Sequence, residues 1–454
     1  MKRIINTDCR VIILVGGTGT KMWPFNGIRN KCMMPVVNIP LIRHTVNQLL
    51  KNGRTDITVA GSSHMDDLRS EFSGTDVKVV ETSGLGNADT LLQCLDDRDY
   101  VFLFGDCLIA EADLVRLLDA GTGTVLLGRI QDNPHSHIVA QVQADRVSGF
   151  LAHPRGTAAG CFLAGGRFSR TLTPYLERCP GYFENTKVGV GAPHEHVIEN
   201  ALNHYLRKNP LTALIAGEPV FDADKPWDVL DANRWYAERM CAGIRKDVLG
   251  ENSKIEAGAE ICGHVRMGRN SFIGRGVLVE GNIVVGDNTV IRHGACIGGS
   301  AVIGSNCIIQ NSCKIGGGSV IGDDCIIEQT AELLSGVLMK KNYLYHHCEF
   351  YGLMGERCDL GAGTVCGTLR FDDGETVQKV HGCKEVPLQY ANAAYVGDFT
   401  RCGVGAILFP GVKIGTSCVI GPGTIVEKEI ADNRLVYVKQ ELVEKEWGCE
   451  KYGW

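Results

Sequence analysis

The sequence predicts two folds in one chain: an α/β sheet domain over residues 1–231 and a parallel β-helix of hexapeptide repeats over residues 248–433. The first observation is periodicity. Apolar residues recur at every sixth position from Ile255, Ile261, Met267 and Ile273 through Ile327, Leu333 and Met339. A period of six fits neither the helical repeat of 3.6 nor the twofold alternation of a flat strand. It fits a chain that turns a corner after each short strand, so that three hexads close a triangular coil and stacked coils form a β-helix. The second observation is a small or branched residue four places after each apolar one, as Cys307 follows Ile303. The third is the alternation of strand-like and helix-like segments before Asp231, the pattern of an α/β sheet.

At 454 residues the chain exceeds one ordinary core. A hydrophobic content of 44% and a charged content of 22% read as globular and soluble. The net charge of -6 provides no cationic footprint for nucleic acid or anionic lipid, so no nucleic acid and no membrane partner is expected. A small anionic substrate then needs a local electropositive site. No apolar run is long enough to span a bilayer, and Arg10–Val15 reads as a strand running into glycines rather than a signal peptide. The 19 cysteines are scattered without paired CxxC motifs. Cys307, Cys313, Cys325, Cys358 and Cys418 occupy the small inward slot of a hexad, where they act as small buried hydrophobes. So many unpaired thiols point to a reducing, cytoplasmic setting.

In order, Val11–Val15 reads as the first strand, Leu41–Asn52 as a helix and Ile57–Ala60 as the next strand. Tyr100–Phe104 is an apolar strand ending at Gly105-Asp106, and Thr124–Arg129 is another. His194–Arg207 reads as a helix, followed by strands at Ala213–Ala216 and Pro219–Asp222. A connecting helix is expected from Asp231 to Arg245, placing a linker at 232–247. The six-residue phase breaks after Met339, and Lys340–Phe350 is read as a loop holding three residues too many. Phase resumes at Met354 and Leu360. The polar stretch Arg370–Gln389 reads as a second excursion, and Val396, Cys402, Leu408, Ile414, Ile420 and Val426 finish the coil. In the tail 434–454, Leu435, Val438, Leu442 and Trp447 have helical spacing, which predicts a helix capping the open end.

The run Leu14-Val15-Gly16-Gly17-Thr18-Gly19-Thr20-Lys21 joins a strand to a glycine-rich loop. Glycines let backbone amides approach phosphates, and those amides form an anion-binding nest. The loop has neither Rossmann nor Walker spacing. With Met22-Trp23-Pro24, Lys31, Pro35-Val36 and Pro40-Leu41-Ile42 it resembles the signature of the sugar-phosphate nucleotidyltransferases. Gly84-Leu85-Gly86-Asn87-Ala88 is similar to that family's base-reading segment, and Phe104-Gly105-Asp106 to its metal-binding Gly-Asp. Phe221–Asp228 is similar to the segment that supplies its second metal position, here Asp222, with Asp224 as the alternative.

The resemblance implies an α/β nucleotidyltransferase domain (Rossmann-like, mixed sheet) whose substrates are a nucleoside triphosphate and a sugar 1-phosphate. It implies Mg²⁺ on Asp106 and Asp222, Lys31 steadying a phosphate and Lys21 the departing pyrophosphate. Gly16, Gly17, Gly19, Thr20, Gly84, Gly86 and Asn87 would face the nucleotide. Transfer at phosphorus needs positioning and charge neutralisation above all, which lysines and metal-bearing carboxylates supply. The chain departs from the family at the sugar pocket. Ala152-His153-Pro154 replaces Glu-Lys-Pro, Ala158-Ala159-Gly160 replaces Asn-Ala-Gly, and His137-Ile138 replaces Tyr-Gly. Asn30 replaces a Pro, and Lys21 replaces an Arg, keeping charge but losing the planar fork. Base and sugar stay open.

Nearly the whole chain resembles the bifunctional N-acetylglucosamine-1-phosphate uridyltransferases / glucosamine-1-phosphate N-acetyltransferases, in their archaeal form. The residues that carry this are Leu360–Thr364, Leu369–Asp372 and Phe409–Gly415. The resemblance implies a left-handed parallel β-helix, a homotrimer, acetyl-CoA as a co-substrate and a histidine base. Counting from Gly361, the base position holds Tyr345, its partner position Cys348, and the motif's Asn is Thr368. His346 and His347 stand one and two residues away, and a shifted loop would bring one into place. Three readings follow: a sugar-1-phosphate nucleotidyltransferase, a bifunctional enzyme that also N-acetylates an amino sugar phosphate, and a degenerate regulatory or scaffold homologue that binds sugar nucleotides. The retained carboxylates and Lys31 favour the first.

Overall fold

The computed structural model describes residues 9–130, 134–152, 154, 160–179 and 195–451. The N-terminal part is built on a nine-stranded mixed sheet. Its strand order is Lys78–Glu81, Ile57–Gly61, Arg10–Leu14, Tyr100–Phe104, Cys161–Phe168, Thr124–Arg129, Leu211–Ile215, Arg146–Ala152 and Ile138–Gln143. The first four run parallel, and Cys161–Phe168 runs antiparallel to both of its long neighbours. Parallel strands need both faces covered. Ile13, Val59, Val101 and Leu103 pack on one face, and Ile12, Ala60, Phe102 and Leu127 on the other. The carboxyl ends of Arg10–Leu14, Ile57–Gly61 and Tyr100–Phe104 share one edge, where α/β sheets place their ligand crevice.

The helix expected at Asp231–Arg245 starts earlier and ends earlier, at Pro226–Ala242. Proline is favoured in a helix's first turn because its missing N–H would have no partner there. Asp228 completes the start by accepting from the backbone N–H of Lys225 at 2.7 Å. The helix predicted at His194–Arg207 covers Ile198–Leu206 among the described residues.

From Val248 onward the chain winds into a left-handed parallel β-helix. Its three sheets hold nine, ten and nine strands of two or three residues. Each strand pairs with the one a full coil away, as Ile255 with Ile273 and Ile273 with Ile291. In the ten-stranded sheet the second residue of each strand points inward: Ile273, Ile291, Ile309 and Ile327 are all fully buried. The cysteines of the small inward slot are buried as predicted, and they also bond. Cys307 donates its thiol to the Gly322 carbonyl at 3.1 Å, and Cys325 to Met339 at 3.1 Å. Ser271 and Thr289 make the same bond at 2.7 Å with hydroxyls. Each hydroxyl also accepts from the next coil, as Cys307 N–H donates to Thr289. A second ladder follows one corner. Asn252, Asn270, Asn288, Asn306 and Asp324 all take positive φ. Asparagine tolerates this region better than most side chains. Their side chains bond from coil to coil at 3.0–3.2 Å.

The loop expected at Lys340–Phe350 does not form. Tyr343–Leu344 and Glu349–Phe350 are regular strands of the coil. Two corners are instead trimmed: Val320 pairs with Val337, and Leu338 with Met354. The discrepancy in phase is therefore three residues too few, not three too many. Leu338, not Met339, takes the inward slot, and Met339 is buried outside the coil, among Trp227, Val337 and Leu353. The capping helix is not formed among the described residues of the tail. Leu435–Val436 adds a strand to one sheet, with Val436 packed on the core, while Leu442 and Trp447 are exposed.

One outer face of the coil carries an unbroken apolar run over five neighbouring strands. Val302, Val320, Val337, Leu353 and Tyr395 are buried there against the Pro226–Ala242 helix and against Met22, Phe25 and Trp227. Polar contacts lock the same junction. The Arg29 guanidinium makes two bonds to Asp398, at 3.0 and 2.6 Å, and the Asp398 carboxylate is fully buried. Trp23 Nε1 donates to Asp432 at 3.1 Å, and Thr416 Oγ1 to the Pro24 carbonyl at 2.9 Å. Among the described residues no helix is long and apolar enough to cross a membrane.

Removing one partner of a buried ion pair leaves the other charge without compensation. Among the described residues, Asp398→Ala leaves buried Arg29 with only the 3.5 Å contact to Glu356 and should destabilise the junction by about 3 kcal/mol. Urea unfolding followed by tryptophan fluorescence measures this. A loss below about 1 kcal/mol, the range of exposed pairs, would contradict it.

Candidate active site

The glycine loop leaves the strand Arg10–Leu14 and ends in a single 3-10 turn, Thr20–Met22. Gly17 has φ 102°, a conformation L side chains rarely adopt. Lys31 opens a second 3-10 turn, Lys31–Met33, anchored by Asn30. The Asn30 side chain accepts from Cys32 N–H at 2.9 Å and donates to the Ser63 carbonyl at 2.8 Å. The family's Pro is thus replaced by a residue that ties two loops together.

On the opposite wall, Gly86 lies so close to the His196 backbone that a Cβ would collide with it. That contact is held by Ala88 N–H to His196 O at 2.9 Å and His196 N–H to Leu85 O at 2.7 Å. The Asn87 side-chain oxygen Oδ1 accepts from Ile198 N–H at 2.7 Å. One oxygen of the residue expected to read a base thus satisfies a helix N-terminus, although Asn87 also lines the cleft.

Five charges meet beneath the loop. Lys31 Nζ lies 2.5 Å from Asp106 and 3.0 Å from Asp224, and Lys21 Nζ lies 2.7 Å from the other oxygen of Asp224. Asp222 is paired with His137 Nδ1 at 3.0 Å, and the His137 ring stacks on Phe162 with centroids 4.5 Å apart. The short strands Cys107–Leu108 and Phe221–Asp222 run antiparallel with Asp222 opposite Cys107. Asp106, Cys107 and Asp222 consequently offer ligand atoms within 4.8 Å of one another. Three carboxylates against two ammonium groups leave one negative charge in excess.

The environment sorts these groups. Burial opposes the Lys31 charge, but Asp106, Asp224 and Asp222 outweigh it and hold its pKa well above the ordinary value. Burial likewise opposes the Asp224 charge, and Lys31 and Lys21 outweigh it, so this carboxyl titrates far below the usual range. For Asp222, burial wins and raises the pKa, with His137 acting in the other direction. Burial, with Asp222 and Asp106 nearby, pushes the Cys107 thiol well up, so it stays protonated.

Of the residues singled out from sequence, Gly16, Gly17, Lys21, Gly84, Gly86, Asn87, Asp106 and Asp222 line one cleft with Asp224. Lys31 reaches that group through its ion pairs. Gly19 caps the 3-10 turn, and the Thr20 hydroxyl is engaged by His381 at 2.7 Å. His346 and His347 are not part of this cleft. They sit exposed on a coil corner, where His347 takes φ 60° and bonds Thr330 at 2.6 Å. The loop expected to bring one of them into place does not form, since both lie between the coil strands Tyr343–Leu344 and Glu349–Phe350. Tyr345 is exposed on the same corner, and the Cys348 thiol faces inward to the Leu360 and Gly361 carbonyls. Of the residues expected at a sugar pocket, Ala152 pairs with Ile138 in the sheet, whereas His153, Ala158 and Ala159 lie outside the described residues.

Sequence reasoning missed Asp224 as the clamp between both lysines, His137 as the partner of Asp222, and Cys107 beside the carboxylates. The spacing of Asp222 and Asp224 marked both as candidates. Their division of labour depends on which one the lysines reach.

Residues 10–169 match the family model described as nucleotidyl transferase, and residues 244–342 match one described as the GMPPB C-terminal domain. The bifunctional protein GlmU of Methanococcus vannielii is 25% identical over 440 residues, covering 96% of this chain and 99% of that protein. The bifunctional protein GlmU of Methanococcus maripaludis strain C7 is 28% identical over 440 residues, covering 95% and 98%. A bifunctional sugar-1-phosphate nucleotidylyltransferase/acetyltransferase of Sulfurisphaera tokodaii is 21% identical over 427 residues, covering 93% and 98%. The chain carries a nucleotidyl transferase domain and aligns with these relatives over nearly its whole length.

The Ile198–Leu206 helix behind the Gly86 wall carries Glu199, which is 2% exposed, with one carboxyl oxygen unbonded among the described residues. Burial raises its pKa from 4.5 to about 7. The carboxyl costs the fold nothing below pH 4.5, where it is protonated both folded and unfolded. The penalty builds as pH rises from 4.5 to about 7 and is constant above that. Glu199→Gln should thus match the wild type in stability near pH 4 and exceed it by about 3 kcal/mol at pH 8. Denaturant titrations at both pH values check this, and a difference independent of pH would refute it.

Proposed function

We propose that this chain is a sugar-1-phosphate nucleotidyltransferase, forming a nucleotide sugar of the UDP- or dTDP-type and pyrophosphate from a nucleoside triphosphate. The carrying observation is the convergence of Lys21, Lys31, Asp106, Asp222 and Asp224 at the mouth of the glycine loop. A sugar phosphate oxygen attacks the α-phosphorus, and the bond to the departing pyrophosphate breaks. The loop amides of Gly16–Gly19 hold the phosphates by hydrogen bonds. Lys31, kept charged by three carboxylates, steadies a phosphate oxygen, and Lys21 follows the charge that leaves with pyrophosphate. Asp224 orients both ammonium groups.

Asp106 and Asp222 fit a hard divalent cation, since both are oxygen donors and the group carries excess negative charge. Mg²⁺ held there supplies charge neutralisation at the reacting phosphate. The protonated thiol of Cys107 is a poor donor for such an ion. His137 orients Asp222. The chain works as a homotrimer in the cytoplasm on this reading, with the coil as its assembly platform.

A second reading adds acetyl transfer. It is favoured by the alignment of relatives named as bifunctional through the β-helix, and by the exposed His346–His347 pair. Acetyl-CoA would be the co-substrate and an amino sugar phosphate the acceptor. Thiol release from acetyl-CoA, abolished by joint His346→Ala and His347→Ala replacement, is the expected result on this reading.

Pyrophosphate release with Mg²⁺, measured across nucleoside triphosphates and sugar 1-phosphates, tests the main proposal. Asp106→Ala and Asp222→Ala should each cut turnover by about 100-fold or more, and Lys31→Ala by a comparable factor. No turnover with any pair, from folded protein that still binds nucleotide, would replace this reading with that of a regulatory sugar-nucleotide-binding subunit.

A further inference from the structure

The excursion that leaves the coil after Cys366 exposes Leu369, Phe371 and Leu388, but its middle is anchored. It returns to the N-terminal domain as a β-hairpin, Gln378–Val380 paired with Cys383–Glu385. The base of the hairpin is fixed on three sides. Gln378 is buried and donates to the Ala391 and Gly411 carbonyls at 3.1 and 3.0 Å. Val380 packs in the junction core with Met22 and Phe25. Glu385 pairs at 2.7 Å with Lys225, whose side chain is 1% exposed.

A hairpin held this firmly has a defined tip. Its two-residue loop is His381-Gly382, with φ 47° and 78°. A two-residue hairpin turn with positive φ at both positions is of type I′ and favours Asn-Gly or Gly-Gly. Histidine is a less usual first residue, and here its side chain has a partner. His381 Nε2 lies 2.7 Å from Thr20 Oγ1, across 361 residues of sequence. Thr20 ends the glycine loop and directly precedes Lys21.

A threonine hydroxyl has one proton and two lone pairs. In the free protein either atom of the His381–Thr20 pair can donate. A phosphate oxygen at the loop accepts only, so the hydroxyl proton must go to it, and the second bond of the hydroxyl must come from a donor. We propose that His381 is that donor: a positioning residue, supplied by the β-helix, that turns the Thr20 hydroxyl towards the terminal phosphates of a nucleotide bound at the glycine loop. The inference rests on the phosphate-binding role proposed above for that loop. On this account the β-helix completes the nucleotide site of its own chain, besides any role in assembly.

The test needs variants that preserve the turn and a ligand that does not depend on the base. His381→Gly suits positive φ and removes only the side chain. His381→Gln places an amide N–H at about the reach of Nε2. Thr20→Val removes the hydroxyl at similar volume. Inorganic tripolyphosphate, titrated into the full chain by calorimetry, is the probe. His381→Gly should weaken binding about 3- to 10-fold, the value of one hydrogen bond, and His381→Gln should recover most of the loss. Thr20→Val should lose a similar factor, and the His381→Gly, Thr20→Val double variant should lose little more, because the two residues act as one unit.

Equal affinity of His381→Gly and wild type would overturn the proposal, as would no recovery with Gln, fully additive losses, or no tripolyphosphate binding by the wild type. If the coupling is found but no sugar phosphate is ever nucleotidylated, the transferase reading falls and the His381 assignment stands.

Discussion

A closed triangular coil returns the same slot to the same face on every turn, and the rest of the molecule depends on that constraint. Inside, it stacks Ile273, Ile291, Ile309 and Ile327 into one dry column. At the corners it stacks asparagines that accept positive φ and bond to one another. Outside, it lines up Val302, Val320, Val337, Leu353 and Tyr395 on a single face, and an apolar face that long must be covered. The Pro226–Ala242 helix and the segment that follows the glycine loop supply the cover.

This docking ties the proposed chemistry to the coil. The loop Gly16–Lys21 is held on one side by the parallel sheet and on the other by Trp23, Pro24 and Arg29, all bonded to the β-helix. The hairpin tip adds a third restraint at Thr20. Within the cleft, electrostatics divides the carboxylates by reach. Asp224 touches both lysines and stays ionised to low pH, whereas Asp222 touches histidine and retains the character of a buried acid. Asp106 is also paired with Lys31, so among the described residues Asp222 is the one carboxylate of the three without a lysine partner.

Much of this was legible in the residues. Period six gave the coil, because the strand residue that turns inward once in each hexad has to be apolar. The glycine loop, Lys31, Asp106 and Asp222 gave the cleft, because backbone approach to phosphate and charge neutralisation demand those residue types. Local periodicity failed where a corner was trimmed: losing one residue before Leu338 and two before Met354 looks the same in phase as gaining three. It failed again in the tail, where helical spacing competed with one more turn of coil and pairing with Val419–Ile420 won.

The sequence by itself determined the two folds, their order and the residue types that converge on the glycine loop, since each follows from short-range pattern and side-chain chemistry. Tertiary structure alone decided which aspartate the lysines clamp, that His137 faces Asp222, that His346 and His347 stand on an exposed corner, and that His381 meets Thr20. The contacts among these outcomes join segments 85, 203 and 361 residues apart in the sequence. No local spacing encodes such a distance.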